Sequence, residues 1–138
     1  MKIYIANDHA GYNVKKTLLF VLEKYGEVID LGADSSESSD YPIYAKKLAD
    51  HIDDGSRGIL LCGSGIGICM AANRFKHIRA AVCHSVEEVT LARHHNNINV
   101  LCLAARSQDP FAEIIDGFFR IPFLNEERHV RRLALISS

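Results

Sequence analysis

The sequence predicts an α/β fold: a three-layer α/β/α sandwich around a five-stranded parallel Rossmann-like sheet, with an extra C-terminal helix. Three observations carry this expectation. Brief runs rich in Ile, Val and Leu lack in/out alternation, which is how strands buried on both faces read. Longer segments of helical period separate them, so a strand–helix unit recurs and right-handed crossovers give an open parallel sheet. At 138 residues, against about 150 per domain, the chain reads as a single domain spanning 1–138.

The strands are expected at Lys2 to Ala6, Val28 to Leu31, Gly58 to Cys62, Ile78 to Cys83 and Val100 to Ala104. Between the first two, Val14, Leu18, Val21, Leu22 and Tyr25 recur at helical spacing and stop at Gly26. Asp40 with Pro42 opens a second helix, Gly67 to Phe75 reads as a third, and Ser85 with Glu88 forms a capping box for a fourth. Asp109 and Pro110 start a fifth. The segment from Asn125 onward is the last, carrying Arg128, Arg131 and Arg132.

Composition narrows the function classes. The 16 basic and 17 acidic residues give a net charge of −1, so no global field draws the chain to nucleic acid or an anionic membrane. Its apolar runs fall far short of the ~20 residues of a bilayer span. The start lacks the long apolar region and cleavage site of an export signal. Cysteines at 62, 69, 83 and 102 form no C-x-x-C pair, so a metal or redox centre is not indicated. Unpaired thiols suit a reducing cytoplasm.

In an open parallel sheet, ligands bind beyond the carboxyl ends of the strands. Those ends carry Asn7-Asp8-His9-Ala10-Gly11, Cys62-Gly63-Ser64-Gly65-Ile66-Gly67 and Ala105-Arg106. Alternating glycines between a strand and a helix start let backbone N–H groups approach an anion, although a tight turn for packing alone has the same look. The loop is neither a dinucleotide fingerprint, since Ile68 stands where the third glycine would fall, nor a Walker loop. Cys62, just before it, suits a general base or nucleophile because a thiolate is favoured beside exposed amides; the alternative is a small buried hydrophobe. Ser64 is either turn chemistry or a donor to an oxygen gaining charge. Asp8 and His9 either cap a helix or contact substrate.

His94, His95, Asn96 and Asn97 fall before the fifth strand, at the wrong sheet edge for a site within one subunit. They are a polar helix terminus, or they complete a site in a neighbouring molecule. Arg128 and Arg132, at i and i+4, share a helix face that suits a phosphate dianion or simply solvent. His51, His77 and His84 read as surface or packing residues, and Cys69, Cys83 and Cys102 as core.

Taken with Asp40-Tyr41-Pro42, Ala71-Ala72-Asn73, His95-Asn96, Asn99-Val100-Leu101 and Arg128-His129, these motifs resemble ribose-5-phosphate isomerases of the B type. That group also includes subunits of galactose-6-phosphate isomerase, and the resemblance spans nearly the whole chain. It implies interconversion of ribose 5-phosphate and ribulose 5-phosphate through an enediolate, in the non-oxidative pentose phosphate pathway, without metal or organic cofactor. In the family the base is either the strand-end cysteine or a glutamate after the last loop glycine. Here Cys62 and Ile68 occupy those positions, which resembles the cysteine type.

The resemblance further implies that His95 is an acid for ring opening. It makes Asp8, His9, Tyr41, Asn96 and the loop Gly63, Ser64, Gly65, Ile66 and Gly67 substrate contacts. Arg106, Arg128 and Arg132 become the phosphate grip. It also implies a homodimer, or a dimer of dimers, with sites shared between subunits. The alternatives are a galactose-6-phosphate isomerase subunit needing a different partner chain, a phosphate- or nucleotide-sensing module without turnover, and a redox sensor using Cys62.

Overall fold

The computed structural model describes residues 1–138. Five parallel strands, β1 (Lys2–Asn7), β2 (Glu27–Asp30), β3 (Ser56–Cys62), β4 (Ala80–Val82) and β5 (Val100–Ala104), form one sheet in the order β2-β1-β3-β5-β4. Helices α1 (Tyr12–Leu22), α2 (Tyr41–His51), α3 (Ile66–Ala72), α4 (Val86–Asn96) and α5 (Phe111–Arg120) cover it, and α6 (Glu127–Ile136) is the additional C-terminal helix. This is the predicted three-layer sandwich.

Strand side chains alternate between faces, and the core divides accordingly. Ile3, Ile5, Ile59, Leu61, Leu101 and Leu103 point into the layer with α1, α4 and α5. Ala6, Leu60, Cys62 and Cys102 point into the layer with α2 and α3. β1, β3 and β5 are central and almost wholly buried, so their residues are apolar on both faces. β2 and β4 are edge strands and only partly buried, short of the two-sided burial that their composition suggested.

Local signals set the helix starts. Pro42 sits in the first turn of α2, where its missing N–H has no partner to lose. Ser85 Oγ accepts the Glu88 N–H at 3.1 Å, as the capping box predicts. Glu88 reaches back one residue further than expected, accepting from the His84 N–H at 2.6 Å. α1 ends at Leu22 and a turn carries the chain to Gly26, so the helical pattern outruns the helix by a turn. Gly26 remains essential there, since a Cβ would lie 2.2 Å from the Met1 carbonyl oxygen.

From β1 the chain moves to one side of the sheet, and from β3 to the other, with the following helices on opposite faces. The loops leaving these adjacent strands therefore diverge, and a parallel sheet takes its ligands at such a switch point.

Candidate active site

The switch point brings the first and third loops together. In the parallel register Asn7 pairs with Leu61, so Asp8 and Cys62 leave the sheet side by side, and the Asp8 N–H donates to Leu61 O at 3.2 Å. Asp8 Oδ1 caps the short turn His9–Gly11, accepting from Ala10 N–H at 3.0 Å and Gly11 N–H at 3.3 Å. The capping reading of Asp8 is thus realised, and Oδ2 lies 4.0 Å from His9 Nδ1. His9 is tied to the loop before α2: Ser39 N–H donates to Nδ1 at 3.1 Å, and His9 N–H donates to Ser39 Oγ at 3.0 Å. Nδ1 also lies 3.2 Å from Ser39 O, so the Ser39 backbone meets this nitrogen in either tautomer.

The glycine loop is shaped by close approaches. Gly65 has φ +76° and is the N-cap of α3, a left-handed conformation that favours glycine. A Cβ on Gly67 would lie 2.6 Å from the Tyr41 ring, and one on Gly63 2.9 Å from Arg106 Nη1. Tyr41, from the start of α2, and Arg106, from the end of β5, are therefore both seated against the loop. Ser64 Oγ accepts the Ile66 N–H at 3.1 Å. That is turn chemistry, yet it occupies only a lone pair, and the hydroxyl proton is still free to donate. Ile66 is exposed beside it.

Cys62 lies on the α2–α3 side of the sheet, 4% exposed, with Sγ accepting the Gly65 N–H at 3.2 Å. The sulfur belongs to the apolar core layer, and the polar group that it meets is the Gly65 amide at the loop. Ile68 is fully buried in the core, so the position held by glutamate in the other type offers no base here. Cys69, Cys83 and Cys102 are core residues as expected. Burial pushes the Cys83 thiol up to about 12. Cys69 departs from the plain hydrophobe reading: a hydrogen bond from the Cys102 thiol, with a backbone contact at Val82, holds its pKa below the usual range.

The other predicted residues sit at the opposite, amino edge. His95 and Asn96 close α4, and α6 folds back beside them, with Leu124 N–H donating to His94 O at 3.0 Å. Arg128 and Arg132 are exposed on α6, and Arg128 pairs with Glu126. Within one chain these arginines and His95 do not reach the glycine loop. Sequence reasoning assigned no role to His129, although it quoted the residue. It is 5% exposed, stacked on His95 with ring centroids 4.4 Å apart, and its Nε2 has no partner. Burial holds its pKa below the usual imidazole value, helped by the positive charge of Arg128. Its place between Arg128 and Arg132 near the start of α6 was the available signal.

The remaining histidines are more engaged than spacing suggested. His84 Nδ1 pairs with Asp109 Oδ2 at 2.7 Å, which lowers the Asp109 pKa. His77 Nε2 lies 2.7 Å from Ala49 O, and His51 Nδ1 2.8 Å from Lys47 O. Those partners are distant in sequence or lie on the backbone, so side-chain spacing could not reveal them. No cluster of His, Cys, Asp and Glu has the arrangement to hold a metal ion, and no helix is long and apolar enough to cross a membrane.

A parallel α/β sandwich with a cysteine and a glycine loop at the end of β3 is the architecture of a class of sugar-phosphate isomerases. The chain belongs to the ribose/galactose isomerase family, whose model matches residues 3–136. It is 41% identical over 138 residues to a probable ribose-5-phosphate isomerase B of Mycoplasma genitalium, covering 95% of this chain and 90% of that one. The ribose 5-phosphate isomerase structure from Thermotoga maritima superposes with a TM-score of 0.92 at 44% identity, covering 99% and 97% of the two chains. The Mycoplasma genitalium structure with bound ribulose-5-phosphate gives a TM-score of 0.91 at 38% identity, covering 99% and 93%.

Proposed function

We propose that this protein interconverts ribose 5-phosphate and ribulose 5-phosphate. The observation that carries the reading is Cys62 Sγ under the Gly65 N–H at the switch point, within a family whose similar members are ribose-5-phosphate isomerases. Moving a carbonyl by one carbon needs a base at C2, donors for the enediolate oxygens and a grip on the phosphate. Cys62, as thiolate, takes the C2 proton and the electron pair moves to the carbonyl oxygen. The free hydroxyl proton of Ser64 and the loop amides stabilise that oxygen. Returning the proton to C1, with a proton shift from O2 to O1, completes the ketose. One such positioned base contributes roughly 10²–10⁴-fold in rate.

His95 would protonate the ring oxygen on opening, seated on His129. Asp8, His9, Tyr41 and Asn96 contact the sugar. Arg106, Arg128 and Arg132 hold the phosphate, which orients C2 toward the sulfur. Because the loop and His95 lie at opposite edges, we assign the site to a homodimer in which α4 and α6 of one copy meet the glycine loop of the other. The chemistry in this reading requires no metal or organic cofactor. Four free cysteines fit a reducing cytoplasm, where this reaction belongs to the non-oxidative pentose phosphate pathway.

The test is an assay of the homogeneous chain with ribose, allose and galactose phosphates in deuterated water. Ketose formation from ribose 5-phosphate, with solvent deuterium entering the sugar, is expected. Absence of turnover, or turnover on galactose 6-phosphate only after a different chain is added, would overturn the reading.

A further inference from the structure

At the amino edge of β3, β4 and β5 a cavity of about 580 Å³ is walled by Arg57, Lys76, Arg79 and Arg93, with Asp53 and Asp54 also lining it. The arginines are half-buried to buried, Arg93 at 3% exposure, yet none makes an ion pair. Their hydrogen bonds go to neutral oxygens: Arg57 to Phe118 O, Arg79 to Asn97 O at 2.7 Å, and Arg93 to Ile121 O, Ile98 O and Asn97 Oδ1. Each guanidinium carries five N–H donors, so donors are left over. None of the remaining guanidinium nitrogens is a sealed, unpaired atom.

Unpaired guanidinium groups brought together at a partly desolvated site repel one another unless an anion intervenes. Burial, then the nearby Arg57 and Arg79 charges, pushes Arg93 down to about 10, and it remains charged at neutral pH. Four full positive charges stand against two carboxylates. Asp53 Oδ1 is engaged by the Gly55 N–H at 3.0 Å, while Asp54 faces Arg79 and only partly offsets it. Apart from His77, whose Nε2 lies 2.7 Å from Ala49 O, the walls carry no aromatic ring on which a base would stack, which favours a compact anion over a nucleotide.

From this geometry we infer a second anion site, built from Arg57, Lys76, Arg79 and Arg93 and distinct from the glycine loop, that takes a small phosphorylated or diphosphate-bearing molecule. Guanidinium forks match phosphate oxygens in pairs, and the volume is ample for a sugar phosphate or a diphosphate.

The intact protein is titrated with inorganic pyrophosphate, read by calorimetry and by amide chemical shifts of Ser56 and Asn99 at the cavity wall. Saturable shifts at those amides are expected, and they persist in Arg128→Gln, which removes a contact from the other proposed phosphate grip. Lys76→Glu and Arg79→Gln should each weaken this binding about tenfold or more. Lys76 is an exposed side chain, so its variant decides the matter if Arg79→Gln fails to fold. Absence of shifts at Ser56 and Asn99, unchanged affinity in Lys76→Glu, or loss of the shifts in Arg128→Gln would overturn the inference.

Discussion

At the residue scale, the chemistry turns on which thiol works. Cys62 accepts the Gly65 N–H at the start of the glycine loop, whereas Cys69, whose pKa is lowered, lies along α3 beside Cys102 in the same core layer. What favours Cys62 is its place at the strand end that opens the glycine loop, where a parallel sheet takes its ligand. Cys62→Ala is therefore expected to reduce kcat by roughly 10²–10⁴-fold while sugar-phosphate binding survives, and Cys69→Ser to keep turnover near the parent value. Steady-state kinetics with a separate binding measurement checks both, and the reverse pattern would move the base to Cys69. His129 makes a pH prediction. Its folded pKa lies below the ordinary 6.5, so the unfolded chain takes up the proton first. Its contribution is full above the unfolded value and is lost as pH falls through the lower folded value. Urea midpoints should fall between about pH 7.5 and 5.5 more steeply for the parent than for His129→Asn.

At the element scale, the strand-to-helix turn after β3 holds the loop in shape. Gly65 sits at φ +76°, and a Cβ there would meet the Leu103 carbonyl carbon at 3.0 Å. Gly65→Ala should lose at least about 1–2 kcal/mol of stability, the ordinary cost of a left-handed non-glycine residue, measured by denaturant unfolding. Turnover should fall as well, since the amide that reaches Cys62 belongs to the displaced residue. Retention of full activity would show that the loop tolerates another path. The strand and helix periods made this turn easy to place in the sequence, and alternating glycines marked it as a site. Tyr41 was legible only through its motif: its seat against Gly67 depends on how α2 lies across the sheet.

At the scale of the whole molecule, the crossovers determine which residues can meet. Asp8, Cys62 and Arg106 gather because β1, β3 and β5 are neighbours, while His95, Arg128 and Arg132 are carried to the opposite edge. A site shared by two copies of one chain has a quantitative signature. Cys62→Ala and His95→Ala chains, each inactive alone, should regain activity when unfolded together and refolded, because a mixed dimer holds one site with both native residues. Random pairing would restore about a quarter of the parent activity. Persistent inactivity of the mixture, with mixed dimers verified by mass, would place Cys62 and His95 in the same half-site or remove one of them from catalysis.

Read alone, the chain determined the alternation of strands and helices, the single sheet and the loop that bears Cys62, because periodicity and glycine placement are local properties. It also exposed the misplacement of His95 relative to the carboxyl edge. Folding decided what depends on distant partners: the edge positions of β2 and β4, the placement of the Cys102 thiol beside Cys69, the His84–Asp109 pair and the stacking of His129 on His95. Such contacts join residues separated by crossovers, and their geometry follows from the strand order rather than from neighbouring residues in the chain.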